Sequence, residues 1–451
     1  MTNWLLISIS LDGPMLNQEE NQKLTRIGPG TPMGNLLRQY WMPAALSCEV
    51  PKCDSEPLRV KLLGENLIAF RDTDGQVGLV SERCPHRGAS LFFGRNEEAG
   101  LRCVYHGWKF NFRGECVDLP NEAPDCPLKG KVKLLSYPCR ERNGVIWAYL
   151  GSRVAPPPMP QLEWNLQNDG TTFLWRGYRA CNWVQAMEGD LDSSHINFLH
   201  RTLNPDDLST VPGLPLPGYA ATGVKLLQSG GTPRLEAIDT EVGVLHTSAR
   251  LIDEENEYHR VHPFLLPFHT MVGGGTNENE VSFNGKLWVP MDDEQTLILE
   301  WQFRPGKPWT DVEIASLKEV RTPYGFMAPT SWAGSAWRSP ANFDNNYFID
   351  RSLQKNKLFS GILSNPLQDT AMQESMGAIV DRTKEHLGPA DAVIIKVRHR
   401  LLKAASDLQD SGITPSGVDH PELYFVRPVG IIIPRGGDWV SQTKKRREVE
   451  G

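Results

Sequence analysis

Two short stretches carry side chains whose types and spacing suit redox chemistry. The first reads Cys84-Pro85-His86-Arg87-Gly88; with sixteen residues between His86 and its first cysteine, the second reads Cys103-Val104-Tyr105-His106-Gly107-Trp108. Each offers one thiol and one imidazole in a glycine-containing loop. Together they can give two thiolates to one iron and two neutral imidazoles to another, the ligands of a 2Fe-2S cluster of mixed ligation. Two imidazoles in place of two thiolates leave the cluster less negative, so its reduction potential is higher than that of an all-cysteine cluster. It can then accept electrons from a ferredoxin or flavoprotein. The alternative occupant is zinc, which Cys2His2 also suits. A zinc finger usually pairs Cys with Cys and His with His, whereas here each half carries one of each.

A second candidate lies in Glu188-Gly189-Asp190-Leu191-Asp192-Ser193-Ser194-His195-Ile196-Asn197-Phe198-Leu199-His200. Five residues on a regular helix turn through about 140°, so the two histidines would share no face. They can bind one metal only if His200 sits where the helix loosens or ends. A one-electron cluster upstream needs somewhere to send its electrons, and an iron(II) held by two histidines and one carboxylate keeps open positions for dioxygen and substrate. The carboxylate must come from elsewhere. Asp369, in Asn365-Pro366-Leu367-Gln368-Asp369, stands at the start of a helical pattern after a proline-containing loop. An ordinary N-cap is the other reading of Asp369, and Glu374 is the competing ligand.

The elements that must position these groups can be read in outline. With 451 residues and 40% apolar content the chain can bury large cores, and a net charge of -7 gives no reason to expect a nucleic-acid partner. The apolar run Trp4 to Leu11 is too short to span a bilayer and lacks the preceding basic residue of a signal peptide, so a cytoplasmic protein without membrane association is expected. Met15 is a plausible alternative start, with residues 1–14 as an extension. Helices are expected over Asn17 to Arg26 and Met33 to Tyr40. Short strands then follow at Leu58 to Leu63, Leu67 to Arg71, Val77 to Ser81 and Val145 to Leu150, which argues for an all-β module. The stiff Pro156-Pro157-Pro158-Met159-Pro160 linker sets a boundary, giving an N-terminal part over 1–40, a cluster domain over 41–155 and a second domain over 156–451.

The second domain mixes strand-like runs (Thr172 to Tyr178, Val242 to Leu251, Glu280 to Val289, Thr296 to Phe303) with helical ones (Trp183 to Leu199, Asp311 to Val320, Asp369 to Leu387, Asp391 to Leu408). An α+β fold with a mainly antiparallel sheet is expected. Of the eight cysteines, the six outside the cluster pair show no framework spacing and are read as structural. The basic run Lys444-Lys445-Arg446-Arg447 reads as a solvated tail.

Cys84, His86, Cys103 and His106, then Asp192, His195 and His200, then Gln368-Asp369 ahead of Gln373-Glu374-Ser375-Met376-Gly377, resemble the oxygenase subunit of a Rieske non-haem iron oxygenase. The likeness runs from about Leu24 to Leu408 and is closest to the phthalate 4,5-dioxygenase group, whose relatives include aryl O-demethylases such as the 5,5'-dehydrodivanillate enzyme. It implies an N-terminal Rieske domain and a catalytic domain of helix-grip type. It also implies a Rieske 2Fe-2S cluster and a mononuclear Fe(II) held by His195, His200 and Asp369. Asp192 matches the acid that in the family links a Rieske histidine of one subunit to an iron-ligand histidine of the next; the other reading is a solvated helix acid. The resemblance further implies a homotrimer or stacked trimers, fed from NAD(P)H by a separate flavin and 2Fe-2S reductase, because no dinucleotide or flavin motif occurs in the chain.

The substrate is read less directly. An aromatic ring needs an apolar pocket with a few fixed polar contacts, and a carboxylate favours the two-pronged fork of an arginine. Arg250 and Arg260 lie on strand-like stretches and are the candidates, with surface exposure as the other reading. His246, His259, His262 and His269 fall in the same region and suggest a polar pocket wall. Hydroxylation of a phthalate-type acid is expected. Oxidative O-demethylation of a methoxylated aryl acid is the alternative, since the iron motifs do not separate the two. A Rieske electron carrier without oxygenase activity is the remaining one, against which the second set of ligands counts.

Overall fold

Two tight turns show how local sequence sets the N-terminal half. Asn143 and Gly144 both adopt positive φ, 44° and 74°, as do Leu63 and Gly64, 48° and 83°. Two such residues in a row make the turn whose twist matches a β-hairpin. Asn143-Gly144 joins Cys139–Arg142 to Val145–Tyr149, and Leu63-Gly64 joins Leu58–Leu62 to Glu65–Arg71.

The computed structural model describes residues 16–167, 169–204, 231–274 and 282–448. Residues 1–14 and the alternative start at Met15 lie outside these. Asn17 caps the helix Gln18–Thr25 through a capping box with Glu20, and Thr31 caps Pro32–Leu37. This second helix stops at Leu37, short of the expected Tyr40. Three small antiparallel sheets follow. Trp41–Leu46, Val145–Tyr149 and Cys139–Arg142 form one; Leu58–Leu62, Glu65–Arg71, Val77–Ser81 and Ser136–Tyr137 form another; Arg95–Glu97, Gly100–Arg102, Lys109–Phe110 and Cys116–Asp118 form the third.

The second half is built on an eight-stranded sheet whose paired strands all run antiparallel. Its order is Thr172–Arg179, Thr296–Phe303, Phe283–Pro290, His269–Val272, Asn256–Leu265, Gly243–Leu251 and Arg234–Thr240, with Val429–Pro434 also on Asn256–Leu265. Helix Trp183–Leu191 packs against His269–Val272 and Phe283–Pro290, and helix Ala392–Ser411 against Arg234–Thr240 and Gly243–Leu251. On the opposite face Leu245, Val261 and Ile433 pack on Trp439. Because side chains alternate along a strand, His246, Ser248 and Arg250 on one strand and Arg260 and His262 on the next face the helix side.

Three further elements differ from expectation. The helix expected over 183–199 ends at Leu191, and the one expected from Asp369 to Leu387 is Asn365–Ser375. The basic C-terminal run is the end of helix Trp439–Arg447, not a tail, because Trp439 is buried and its indole N–H donates to Glu236.

Buried charge ties the two helices on the sheet together. Arg398 on the long helix reaches Glu188 at 2.7 Å and Glu385 at 2.5 Å, and Arg382 reaches Glu188 at 3.3 Å. Burial works against the Glu188 charge, and Arg382 with Arg398 more than offsets it, holding the carboxyl below its usual range. Removing one partner of such a group leaves a buried charge exposed to that penalty, at about 3–5 kcal/mol. Arg398→Met is therefore expected to lower the unfolding midpoint in denaturant titrations followed by circular dichroism. An unchanged midpoint would show that the pair does not hold the helices.

Candidate metal centres

The two cluster loops are built alike. In the first, the Cys84 N–H donates to Ala89 O and the Gly88 N–H to Cys84 O, both at 2.8 Å; in the second, the Cys103 N–H donates to Trp108 O at 2.8 Å and the Gly107 N–H to Cys103 O at 2.9 Å. Gly88 and Gly107 close the loops at φ of 77° and 81°, where an L side chain would be strained. Both cysteines are buried, while His86 and His106 are half-buried, with ring centroids 4.5 Å apart. Burial pushes the Cys84 thiol up to about 11, against the pull of backbone N–H groups, and the neighbouring Cys103 adds to the rise. Such a thiol ionises readily only with a metal against it.

Zinc would need all four donors around one point. Among the described residues the one group whose donors converge within 4.8 Å is His195, His200 and Asp369. The Cys84, His86, Cys103 and His106 donors do not converge in this way, which fits a two-iron cluster better than a single zinc. Trp108 stacks on the His86 ring at 4.4 Å and anchors its own indole N–H on Asn121 at 2.8 Å.

The second site depends on the early end of helix Trp183–Leu191. Asp192 leaves helical geometry, and its Oδ1 accepts from the Ser194 N–H at 2.7 Å and Oγ at 2.6 Å. The short turn His195–Asn197 follows, and it brings the two histidines together: His195 Nε2 lies 3.1 Å from His200 Nε2. Asp369 Oδ1 lies 3.1 Å from His200 Nε2 and 3.8 Å from His195 Nε2. Asp369 is the fifth residue of its helix, so it is no N-cap. Glu374, the competing ligand, is engaged elsewhere: it accepts from the Ala180 N–H at 2.8 Å and the Tyr347 hydroxyl at 2.6 Å.

Behind the three donors stand groups that fix them. Gln368 Oε1 lies 2.6 Å from His200 Nδ1, and Asp192 Oδ2 lies 3.5 Å from His195 Nδ1. An acceptor on Nδ1 holds the proton there and leaves Nε2 free for a metal. Burial works against the Asp369 charge, but His200, His195 and Lys286 outweigh it and keep the carboxyl ionised. Lys286 itself is paired with Asp190 at 2.5 Å, and the Thr270 hydroxyl donates to Asp190 at 2.6 Å. Gln368, Lys286 and the Asp190 pair were not legible in the sequence, since nothing in residue spacing signals a contact between a helix and a distant strand.

Arg250 and Arg260 are both buried, so the surface reading fails for each. Arg250 donates to Ser193 O at 2.8 Å and Arg260 to Gly273 O at 2.7 Å, and neither meets a carboxylate among the described residues. Arg260 Nη1, His246 Nδ1 and His262 Nε2 have no partner. The His246 and His262 rings stack at 4.9 Å. Burial, with the charge of Arg260, pushes His246 down to about 3 and His262 well down, so both rings are neutral. The expected wall of four histidines is reduced to these two, because His259 and His269 stand on the opposite face of their strands.

Residues 40–138 match the family model described as Rieske [2Fe-2S] domain, and residues 148–451 the one described as LigXa C-terminal domain like. The chain belongs to the Rieske non-haem iron oxygenases. This oxygenase is 37% identical over 446 residues to the 3-chlorobenzoate-3,4-dioxygenase oxygenase subunit of Comamonas testosteroni, covering 95% of this chain and 98% of that protein. It is 34% identical to the phthalate 4,5-dioxygenase oxygenase subunit of Pseudomonas putida, covering 88% and 87%, and 30% identical to the 5,5'-dehydrodivanillate O-demethylase oxygenase subunit of a Sphingobium species, covering 86% and 80%. Among solved structures, dicamba monooxygenase shares the fold, with a TM-score of 0.57 at 17% identity over 84% of this oxygenase and 99% of that chain.

When bound, the cluster supplies single electrons and the mononuclear iron supplies open positions at which dioxygen can react. The protein's part is to hold the donors in place, and Gln368 gives a direct check. Gln368→Leu is expected to weaken iron binding to the metal-stripped mononuclear site by about 10–100-fold with the Rieske absorbance intact. Gln368→Glu, which keeps the acceptor, should bind iron well. Equal affinities for all three proteins would show that the contact does not orient His200.

Proposed function

We propose that this protein is the terminal oxygenase of a system that hydroxylates an aromatic carboxylate of phthalate type, using dioxygen and electrons from a separate flavin and 2Fe-2S reductase. The observation that carries the substrate class is Arg260. Its buried guanidinium has a free Nη1 and stands beside two neutral imidazoles with free ring nitrogens, on the sheet face that carries the iron-ligand segment. A carboxylate would satisfy all of these donors at once. The names of the 3-chlorobenzoate and phthalate relatives agree with an aromatic acid.

In this reading Cys84, His86, Cys103 and His106 hold the cluster in a domain over 41–155. His195, His200 and Asp369 hold the iron in a domain over 156–451. The enzyme works in the cytoplasm as a homotrimer or as stacked trimers, with the cluster edge of one chain against the iron site of the next. Two features support that assembly: His86 and His106 are half-buried behind the exposed Val104 and Tyr105, and the Asp192 side chain keeps 24% exposure beside His195. O-demethylation of a methoxylated aryl acid is the second reading, favoured by the dehydrodivanillate relative. No helix among the described residues is long and apolar enough to cross a membrane.

Product mass under labelled dioxygen, with phthalate-type and methoxylated aryl acids and a surrogate reductase, separates the readings. Gain of two labelled oxygens and two hydrogens is the expected result; release of formaldehyde would replace it with O-demethylation. In the same assay Asp192→Asn is expected to retain both metals while cluster reoxidation slows. Reoxidation at the parental rate would remove Asp192 from the electron path.

A further inference from the structure

Arg250 and Arg260 look equivalent in sequence, yet their contacts differ. Arg250 Nη2 donates to Ser193 O at 2.8 Å and reaches Asn197 Oδ1 at 3.4 Å, while Nη1 reaches Ser248 Oγ at 3.5 Å. Ser193 follows Asp192, and Asn197 closes the turn that begins at His195. One guanidinium therefore grips both ends of the segment that positions the first iron-ligand histidine. The segment's other anchor is the Lys286–Asp190 pair at the end of the preceding helix. No hydrogen bond from Arg260 reaches this segment; its Nε is spent on Gly273 O.

We propose that Arg250 is a positioning residue: it latches the Asp192–His200 segment to the sheet, and its grip tightens when an acid occupies the neighbouring Arg260 site. The second half rests on the aromatic-acid reading; the first does not. Arg250 and Arg260 lie on neighbouring strands and share a face, and burial and the Arg260 charge work against the Arg250 cation, which Tyr258 and the Asp192 carboxylate only partly relieve. A substrate carboxylate at Arg260 offsets the charge of that guanidinium. It relieves the repulsion between the two arginines and so strengthens the hold of Arg250 on Ser193 and Asn197. Linkage makes the effect reciprocal: whatever factor the acid adds to iron affinity, iron adds to acid affinity.

The test measures iron affinity of the metal-stripped mononuclear site in the full-length, cluster-loaded protein, with and without benzoate as the minimal aromatic acid. Arg250→Gln is expected to weaken iron binding about tenfold without benzoate, and Arg250→Lys, which can still reach Ser193 O, should recover part of the loss. Arg260→Gln, which removes the opposing charge, should leave iron binding without benzoate no weaker than in the parental protein and abolish the benzoate effect. Asn197→Asp, which keeps the Oδ1 acceptor for Arg250 but loses the amide that donates to Gly231 O, should stay nearer the parental affinity than Asn197→Ala, which loses both contacts. A retained Rieske spectrum shows that each variant is folded.

Unchanged iron affinity in Arg250→Gln and Asn197→Ala would overturn the latch. So would an Arg250→Gln variant that loses only benzoate binding, since Arg250 would then be a second carboxylate contact. No benzoate effect on iron affinity in a parental protein that still binds benzoate would overturn the coupling alone; failure to bind benzoate or any other aromatic acid would overturn the aromatic-acid reading as well, and either result would leave the latch standing on the benzoate-free affinities.

Discussion

The iron site depends on a helix that stops. His195 and His200 are five residues apart, and had the helix from Trp183 continued through them they would point about 140° apart. Instead it ends at Leu191, and Asp192 folds its carboxylate back onto Ser194 and His195. That change of direction lets the two Nε2 atoms approach to 3.1 Å. The same carboxylate stands at the His195 Nδ1, so the group that breaks the helix also fixes a ligand. Around this break the sheet supplies cations, Lys286 at one end and Arg250 at the other. The second helix, Asn365–Ser375, supplies two neighbouring residues with different tasks, Asp369 as third donor and Gln368 as the acceptor behind His200.

The cluster half is organised by a different constraint. Two hairpin-like loops with the same hydrogen-bond pattern place two thiols inside and two imidazoles at the edge. Electrons can leave an edge that faces outwards, and the half-buried histidines form that edge. In the proposed reading the two halves are complementary: one would present its cluster histidines near the surface, and the other keeps a partly exposed acid, Asp192, beside the proposed iron ligand His195.

How much of this the sequence shows follows from whether a feature is local. The cluster loops are contiguous motifs, so a Rieske domain could be read from them together with the four residues proposed as its ligands. Strands such as Thr296–Phe303 were legible to the residue. The end of the Trp183 helix was not, because Ile196 and Leu199 continue the apolar spacing past Asp192 and imitate a longer helix. Asp369 lies more than 160 residues from the histidines, so the residues alone could offer it only as one candidate beside Glu374, and the resemblance chose between them. The different tasks of Arg250 and Arg260 were hidden because the strand Gly243–Leu251 is buried on both faces, so its pattern shows no polar side. The basic C-terminal run is solvated at Lys444 and Lys445 as expected, but it is a helix end and not a tail, since one buried residue, Trp439, decides whether it packs.

The central claim is that one chain holds a two-iron cluster and a separate mononuclear iron within reach of a bound aromatic acid. Mössbauer spectra of the fully 57Fe-loaded, reduced protein test it most directly, recorded with and without benzoate. The account predicts three irons per chain: a cluster pair with one ferric and one ferrous site, and a high-spin ferrous iron whose signal alone changes when benzoate is added. Two irons per chain, or a third iron indifferent to every aromatic acid supplied, would contradict it.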